Sequence, residues 1–135
     1  MTVGPVGRND STDDFFDGTA AGEFRLRRCL PHGHLSRPQA RQCAACGSTD
    51  LEWTAACGRA RLVSWAVVPV RGGEGEPPPP PNIPAIAELD EGPWWWSALV
   101  GVDPHTLAEG LPLRIIYERA DGGEAVPVFV LDASR

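Results

Sequence analysis

Two Cys/His knuckles followed by five β-patterned runs predict a mainly β protein. It should carry a short N-terminal helix, a rubredoxin-like zinc ribbon and a five-stranded barrel of the OB type. The first observation is CLPHGHLSRPQARQCAACGS, residues 29–48, which holds three of the four cysteines and two of the three histidines. The second is a series of alternating or β-branched runs after Gly58, separated by turn residues. The third is size: 135 residues, 42% of them hydrophobic, can build one modest core but not two independent ones.

From the N-terminus, residues 1–12 are small, polar and unpatterned and are expected to be disordered. Thr12 or Asp13 can cap a short helical segment over 13–23 that carries Phe15 and Phe16; Gly18 and Gly22 limit it to a turn or two. EFRLRRC alternates apolar and charged residues, with Phe24 and Leu26 on one face, and predicts a strand leading into Cys29. The ribbon is placed at 24–56 and the barrel at 57–131.

Within the ribbon, Cys29-Leu30-Pro31-His32-Gly33 and Cys43-Ala44-Ala45-Cys46-Gly47 share one grammar. Two ligands three positions apart can reach one ion, and the trailing glycine permits the left-handed turn by which the chain leaves. That repeated glycine favours His32 over His34. The predicted site is Cys29, His32, Cys43 and Cys46, holding structural zinc. Four filled positions leave none for a catalytic water, and a rubredoxin-type iron centre would want four thiolates. The alternative is that the metal is lost and Cys29 is an ordinary buried thiol. Cys57 reads as a small buried apolar residue.

After the ribbon, STDLEWTAACG patterns as a strand around Leu51 and Trp53, and RARLVSWAVVPV as a longer one. RGGEGEPPPPPNIP is a loop, with five prolines forming a stiff solvated arm. AIAELDEG and WWWSALVGV form two strands joined at Asp90–Pro93. VDPHTLAEG has Asp103 as N-cap, Pro104 at the first helical position and Gly110 as a stop, which predicts one short helix. LPLRIIYER, the tight turn ADGG and EAVPVFVLD complete the barrel as a hairpin.

The net charge of −6 is unevenly spread. Residues 24–71 hold eight arginines against Asp50 and Glu52, or +6, whereas residues 72–135 hold three arginines against eleven acids, or −8. A generic nucleic-acid protein would be basic overall. A basic middle beside an acidic end suits a small anionic ligand or an oppositely charged partner. No long apolar run predicts a membrane span, and the polar start does not read as a signal peptide. CxxC usage points to a reducing cytoplasm.

In a strand, Trp94 and Trp96 point one way and Trp95 the other. The adjacent Phe15 and Phe16 cannot share one narrow helical face. Phe15, Phe16, Trp94, Trp95 and Trp96 are therefore expected to supply a hydrophobic partner-binding surface. Ser97 and His105 follow no nucleophile pattern, Glu88, Asp90 and Glu91 read as a solvated turn, and no residue qualifies as catalytic.

The order DDFFDGTAAGEFRLRRC, two knuckles, CGSTDLEWTAACGRARLVSWAVV, AELDEG, VGVDP…GLPLRIIYE and VPVFVLD resembles the acyl-CoA-associated zinc-ribbon/OB-fold family. The likeness runs from about Asp13 to Leu131; cysteine stands in that family at the place of His32. The resemblance implies an accessory subunit without its own active site. Its expected partner is a thiolase-superfamily or lipid-transfer-protein-type enzyme, a thiolase or an aldolase, in a complex with two copies of each chain. Acyl-CoA thioesters would be the substrates, in lipid or steroid side-chain degradation, with CoA phosphates near Arg37 and Arg41 at the interface. Two other readings are a single-stranded nucleic-acid-binding ribbon/OB module and a stand-alone CoA-binding module or enzyme.

Overall fold

The β-patterned runs become eight strands among residues 5–133, which the computed structural model describes. Strands β1 (Arg25–Cys29), β2 (Leu35–Ser36) and β3 (Leu51–Ala55) form an antiparallel sheet in the order β2-β1-β3. Strands β4 (Arg59–Trp65), β5 (Pro84–Leu89), β6 (Trp94–Ala98), β7 (Pro112–Arg119) and β8 (Ala125–Leu131) form a second sheet in the order β6-β5-β4-β7-β8. A parallel bridge between Leu99 and Phe129 brings the end of β6 onto β8, with the Val100 N–H donating to the Phe129 carbonyl at 2.9 Å. First strand paired to second and fourth, third curled onto fifth: this is the OB topology expected from the strand count.

Alternation decides what goes inside. Ala60 and Leu62 from β4, Ala85, Ala87 and Leu89 from β5, Leu113 and Ile115 from β7 and Phe129 from β8 fill the curl. β4 is shorter than its apolar run predicts. Its register shifts between Leu62 and Ser64, it ends at Trp65, and pairing resumes only as the Val68–Asn82 bridge. The five prolines beyond it lie in an exposed or half-exposed loop.

The expected helix over VDPHTLAEG shrinks to one 3-10 turn at Pro104–Thr106. Asp103 caps it as expected, accepting from the His105 N–H at 3.0 Å. Leu107 is already extended (φ −79°, ψ 142°), and its side chain packs on the core. Burying that leucine takes the chain off the helical path after one turn.

The N-terminal helix α1 spans Asp13–Ala20. Its two early acids sit at the positive end of the helix dipole. It lies in the corner between β1 and β8, so two adjacent side chains can both be buried. Phe15 and Phe16 are each only 8% exposed. Phe15 meets Phe24 at 5.5 Å and Trp95 at 5.6 Å between ring centroids, and Phe24 meets Trp95 edge-on at 4.9 Å. Helix, first sheet and barrel are joined through these three rings. Gly18 serves contact here: a Cβ on it would lie 2.7 Å from Arg25 Cγ and Cδ, and Arg25 donates across the helix to the Asp14 carbonyl at 3.1 Å.

Of the tail expected to be disordered, residues 1–4 lie outside the described residues, and residues 5–12 are laid on the barrel. Arg8 pairs with Asp17 and Glu124, both at 2.7 Å, and the Glu124 N–H donates to the Val6 carbonyl at 2.8 Å. Gly123 lets the backbones approach: a Cβ there would sit 2.8 Å from Pro5 Cα and Val6 N. Polar composition hid the long-range pair of Arg8 with Glu124.

Phe24 is 1% exposed. Phe24→Ala should cost about 3–5 kcal/mol of unfolding free energy, as large-to-small changes of a buried aromatic do. Urea denaturation followed by far-UV circular dichroism measures it. A loss below about 1 kcal/mol, the range of ordinary surface substitutions, would mean that the three rings are not the joint.

Candidate functional site

The two knuckles fold as the same backbone device. Gly33 N–H donates to the Cys29 carbonyl at 2.7 Å and Gly47 N–H to the Cys43 carbonyl at 2.8 Å. One residue further on, Cys29 N–H donates to the His34 carbonyl at 2.9 Å and Cys43 N–H to the Ser48 carbonyl at 2.8 Å. Both trailing glycines have positive φ, 73° and 76°. The repeated grammar in the sequence is thus a repeated turn.

The ligand positions within the two turns differ. The donor atoms that lie within 4.8 Å of one another belong to Cys29, His34, Cys43 and Cys46. His34 takes the corner expected of His32. It follows the turn and lies opposite Cys29, extending the β1–β2 pairing, and its Nδ1 is 3.6 Å from Cys43 Sγ. His32 is exposed, with its ring 5.4 Å from that of His34. An imidazole reaches further from the backbone than a thiol. The longer side chain can therefore serve from the more distant position, where the second knuckle has Ser48.

The distances suit one ion. In a tetrahedron with zinc's bond lengths, two thiolates lie about 3.8 Å apart and a thiolate and an imidazole nitrogen about 3.6 Å apart. Cys46 Sγ and Cys29 Sγ are 3.9 Å apart, too far for a disulfide, and all four cysteines are free. Desolvation pushes the Cys43 thiol up. The N–H groups of Cys46 and Ala45, with the Cys46 thiol and His34, outweigh it and bring the thiol down to about 6. A hydrogen bond from the Ser48 backbone lowers Cys46, but desolvation and the neighbouring Cys43 and Cys29 push it up overall. Thiols crowded this way compete for protons, and a bound cation relieves the competition. The donor set can hold a metal ion.

Cys57 stands apart from the cluster and is exposed, where the sequence suggested burial. Its partial desolvation pushes the thiol up; an Arg59 backbone hydrogen bond opposes this, and Glu91 and Asp90 reinforce it. It is a poor nucleophile at neutral pH. Ser97 Oγ donates to the Pro127 carbonyl at 2.6 Å, and His105 sits in the capped 3-10 turn.

The aromatic run splits as alternation requires. Trp95 points inward onto Phe15 and Phe24, while Trp94 and Trp96 are 48% and 68% exposed. Trp94 Nε1 donates to Glu88 across the pair at 3.3 Å. Trp96 borders a shallow recess with Trp65, Ile86 and Pro84. Of the five aromatics expected to form a partner surface, Phe15 and Phe16 are therefore buried and Trp95 is half-buried against Phe15 and Phe24; Trp94 and Trp96 face outward. Arg37 and Arg41 are both exposed on the segment between β2 and the second knuckle, and Arg41 alone borders the groove between the two sheets. Sequence reasoning passed over Arg27 and Trp53, which that groove also contains; only the β1–β3 register, Arg27 opposite Trp53, brings them together.

Residues 53–118 match the family model for the C-terminal OB-fold domain of ChsH2. A DUF35 domain-containing scaffold protein of Pyrococcus furiosus is 31% identical over 90 residues, covering 65% of this chain and 64% of that protein. A probable enoyl-CoA hydratase alpha subunit of Thermomonospora curvata is 32% identical over 123 residues, covering 87% of this chain and 37% of that protein. Among solved structures, a chain of the Ltp2-ChsH2(DUF35) aldolase superposes with a TM-score of 0.77 at 26% identity, over 93% of this chain and 97% of that one. The OB-fold half of the chain, residues 53–118, is thus of the ChsH2 C-terminal type, and the chain is similar to DUF35 proteins over most of its length. It spans only about a third of the hydratase subunit's length and about two thirds of the scaffold protein's.

His34→Ala should abolish the tetrahedral thiolate–cobalt spectrum of the Co²⁺-loaded chain or weaken cobalt binding at least tenfold, whereas His32→Ala should leave both unchanged. Cobalt titration by absorption spectroscopy checks this. The reverse pattern would return the fourth corner to His32.

Proposed function

We propose that the chain is a non-catalytic accessory subunit that binds a thiolase-superfamily enzyme, a thiolase or an aldolase, and supports its acyl-CoA chemistry. The full-length likeness to a chain of the Ltp2-ChsH2(DUF35) aldolase carries the reading. The scaffold and alpha-subunit names of the other relatives favour it too. In this reading the Cys29–His34–Cys43–Cys46 cluster holds structural zinc and fixes the two ribbon turns. The chain's own residues supply the four donors, and the ion cross-links loops that bury little else. The exposed Trp94 and Trp96 present a rigid apolar face to the partner; such rings are the residue type that most often anchors interfaces. The finer parts of the proposal are a complex with two copies of each chain and a setting in lipid or steroid side-chain breakdown. Exposed Arg37 and Arg41 remain available for CoA phosphates at the interface.

Co-expression with a thiolase-like protein encoded beside this chain, followed by size-exclusion chromatography, tests the association. The two should elute together at micromolar concentration. Trp96→Ala should weaken the complex by about 2 kcal/mol, the scale of an interface hot spot, with zinc content unchanged. Separate elution, with a partner fully active alone, would end the accessory-subunit reading.

A further inference from the structure

The groove between the two sheets has a volume of about 700 Å³, within the range of small-molecule sites. Its walls are aromatic: Phe15 from α1, Trp95 from the barrel and Trp53 from the ribbon sheet. Arg27 lies in it with its guanidinium carbon 4.4 Å from the Trp53 ring centre. Its β1 neighbours are paired, Arg25 to Glu23 and Arg28 to Glu52. Arg27 makes no ion pair among the described residues, and its Nε is buried without a hydrogen-bond partner. A buried donor left unmade costs free energy, and Arg27 is a groove-lining cation with no carboxylate partner among the described residues.

The surrounding charge says what would satisfy it. Arg27 and Arg41 line the groove against one carboxylate, Asp14, giving a balance of +1. Asp14 is already engaged, accepting from Trp53 Nε1 at 3.0 Å, which also fixes the Trp53 wall. A guanidinium also presents two parallel N–H groups on its Nη edge, a fork that matches a carboxylate. We propose that this groove binds an apolar monocarboxylate, with its carboxylate on Arg27 and its hydrocarbon body against Phe15, Trp53 and Trp95. The site concerns a free acid and this chain alone; it stands whether or not the thiolase-type partner exists.

Calorimetry of the full, metal-loaded chain with octanoate, and separately with 1-octanol, tests it. Octanoate should bind, and more tightly than the neutral alcohol. Arg27→Gln should weaken octanoate roughly tenfold or more, as loss of a charge-assisted fork does, and leave 1-octanol unaffected. Circular dichroism and the cobalt spectrum verify the fold of the variant. Should Arg27→Gln fail to fold, Arg27→Lys decides: it keeps the charge without the fork and should weaken octanoate several-fold. The proposal is overturned if octanoate does not bind at millimolar concentration. It is equally overturned if the alcohol binds as tightly, or if the folded arginine variant binds octanoate like the native chain.

Discussion

The register of β6 is the constraint on which the rest depends. Ala87 lies opposite Trp95, and Ile86 and Glu88 lie opposite Trp96 and Trp94. With a side-chain period of two, that pairing sends Trp95 inward and its neighbours outward. Trp95 then completes the ring cluster with Phe15 and Phe24 that joins helix, ribbon sheet and barrel. The same pairing leaves Trp94 and Trp96 on the surface. A slip by one residue would bury two tryptophans where one fits and strip the joint of its centre. Internal cohesion and an external aromatic face are thus two consequences of one set of backbone hydrogen bonds.

The ribbon half solves a different problem. Between Cys29 and Leu51 the chain has little apolar content and only the two-residue strand β2. A hydrophobic core cannot hold such a segment. Two identical turns, each closed by backbone hydrogen bonds and a left-handed glycine, bring four donor atoms together instead. A metal ion there would contribute what packing cannot.

Most strands were legible because alternation and turn residues are local signals: Phe24 and Leu26 face inward, ADGG turns, and Trp95 opposes its neighbours. Long-range geometry was not legible. His34 was passed over because the glycine grammar locates the turn but not the reach of an imidazole. Phe15 and Phe16 looked incompatible with one helical face, yet the helix sits in a corner with two walls. Docking of residues 5–12 rests on Arg8 meeting Glu124, 116 positions away. The pairing of Arg27 with Trp53 required a register that no single stretch states.

Hydroxyl-radical footprinting of the chain, free and bound to the proposed thiolase-type partner, tests the central claim most directly, with oxidation resolved at each residue of the Trp94–Trp96 run by tandem mass spectrometry. In the free chain Trp94 and Trp96 should oxidise more readily than the half-buried Trp95. In the complex Trp96 should become protected, with Trp95 unchanged. Equal oxidation of all three tryptophans in the free chain, or a Trp96 as reactive in the complex as outside it, would contradict the account.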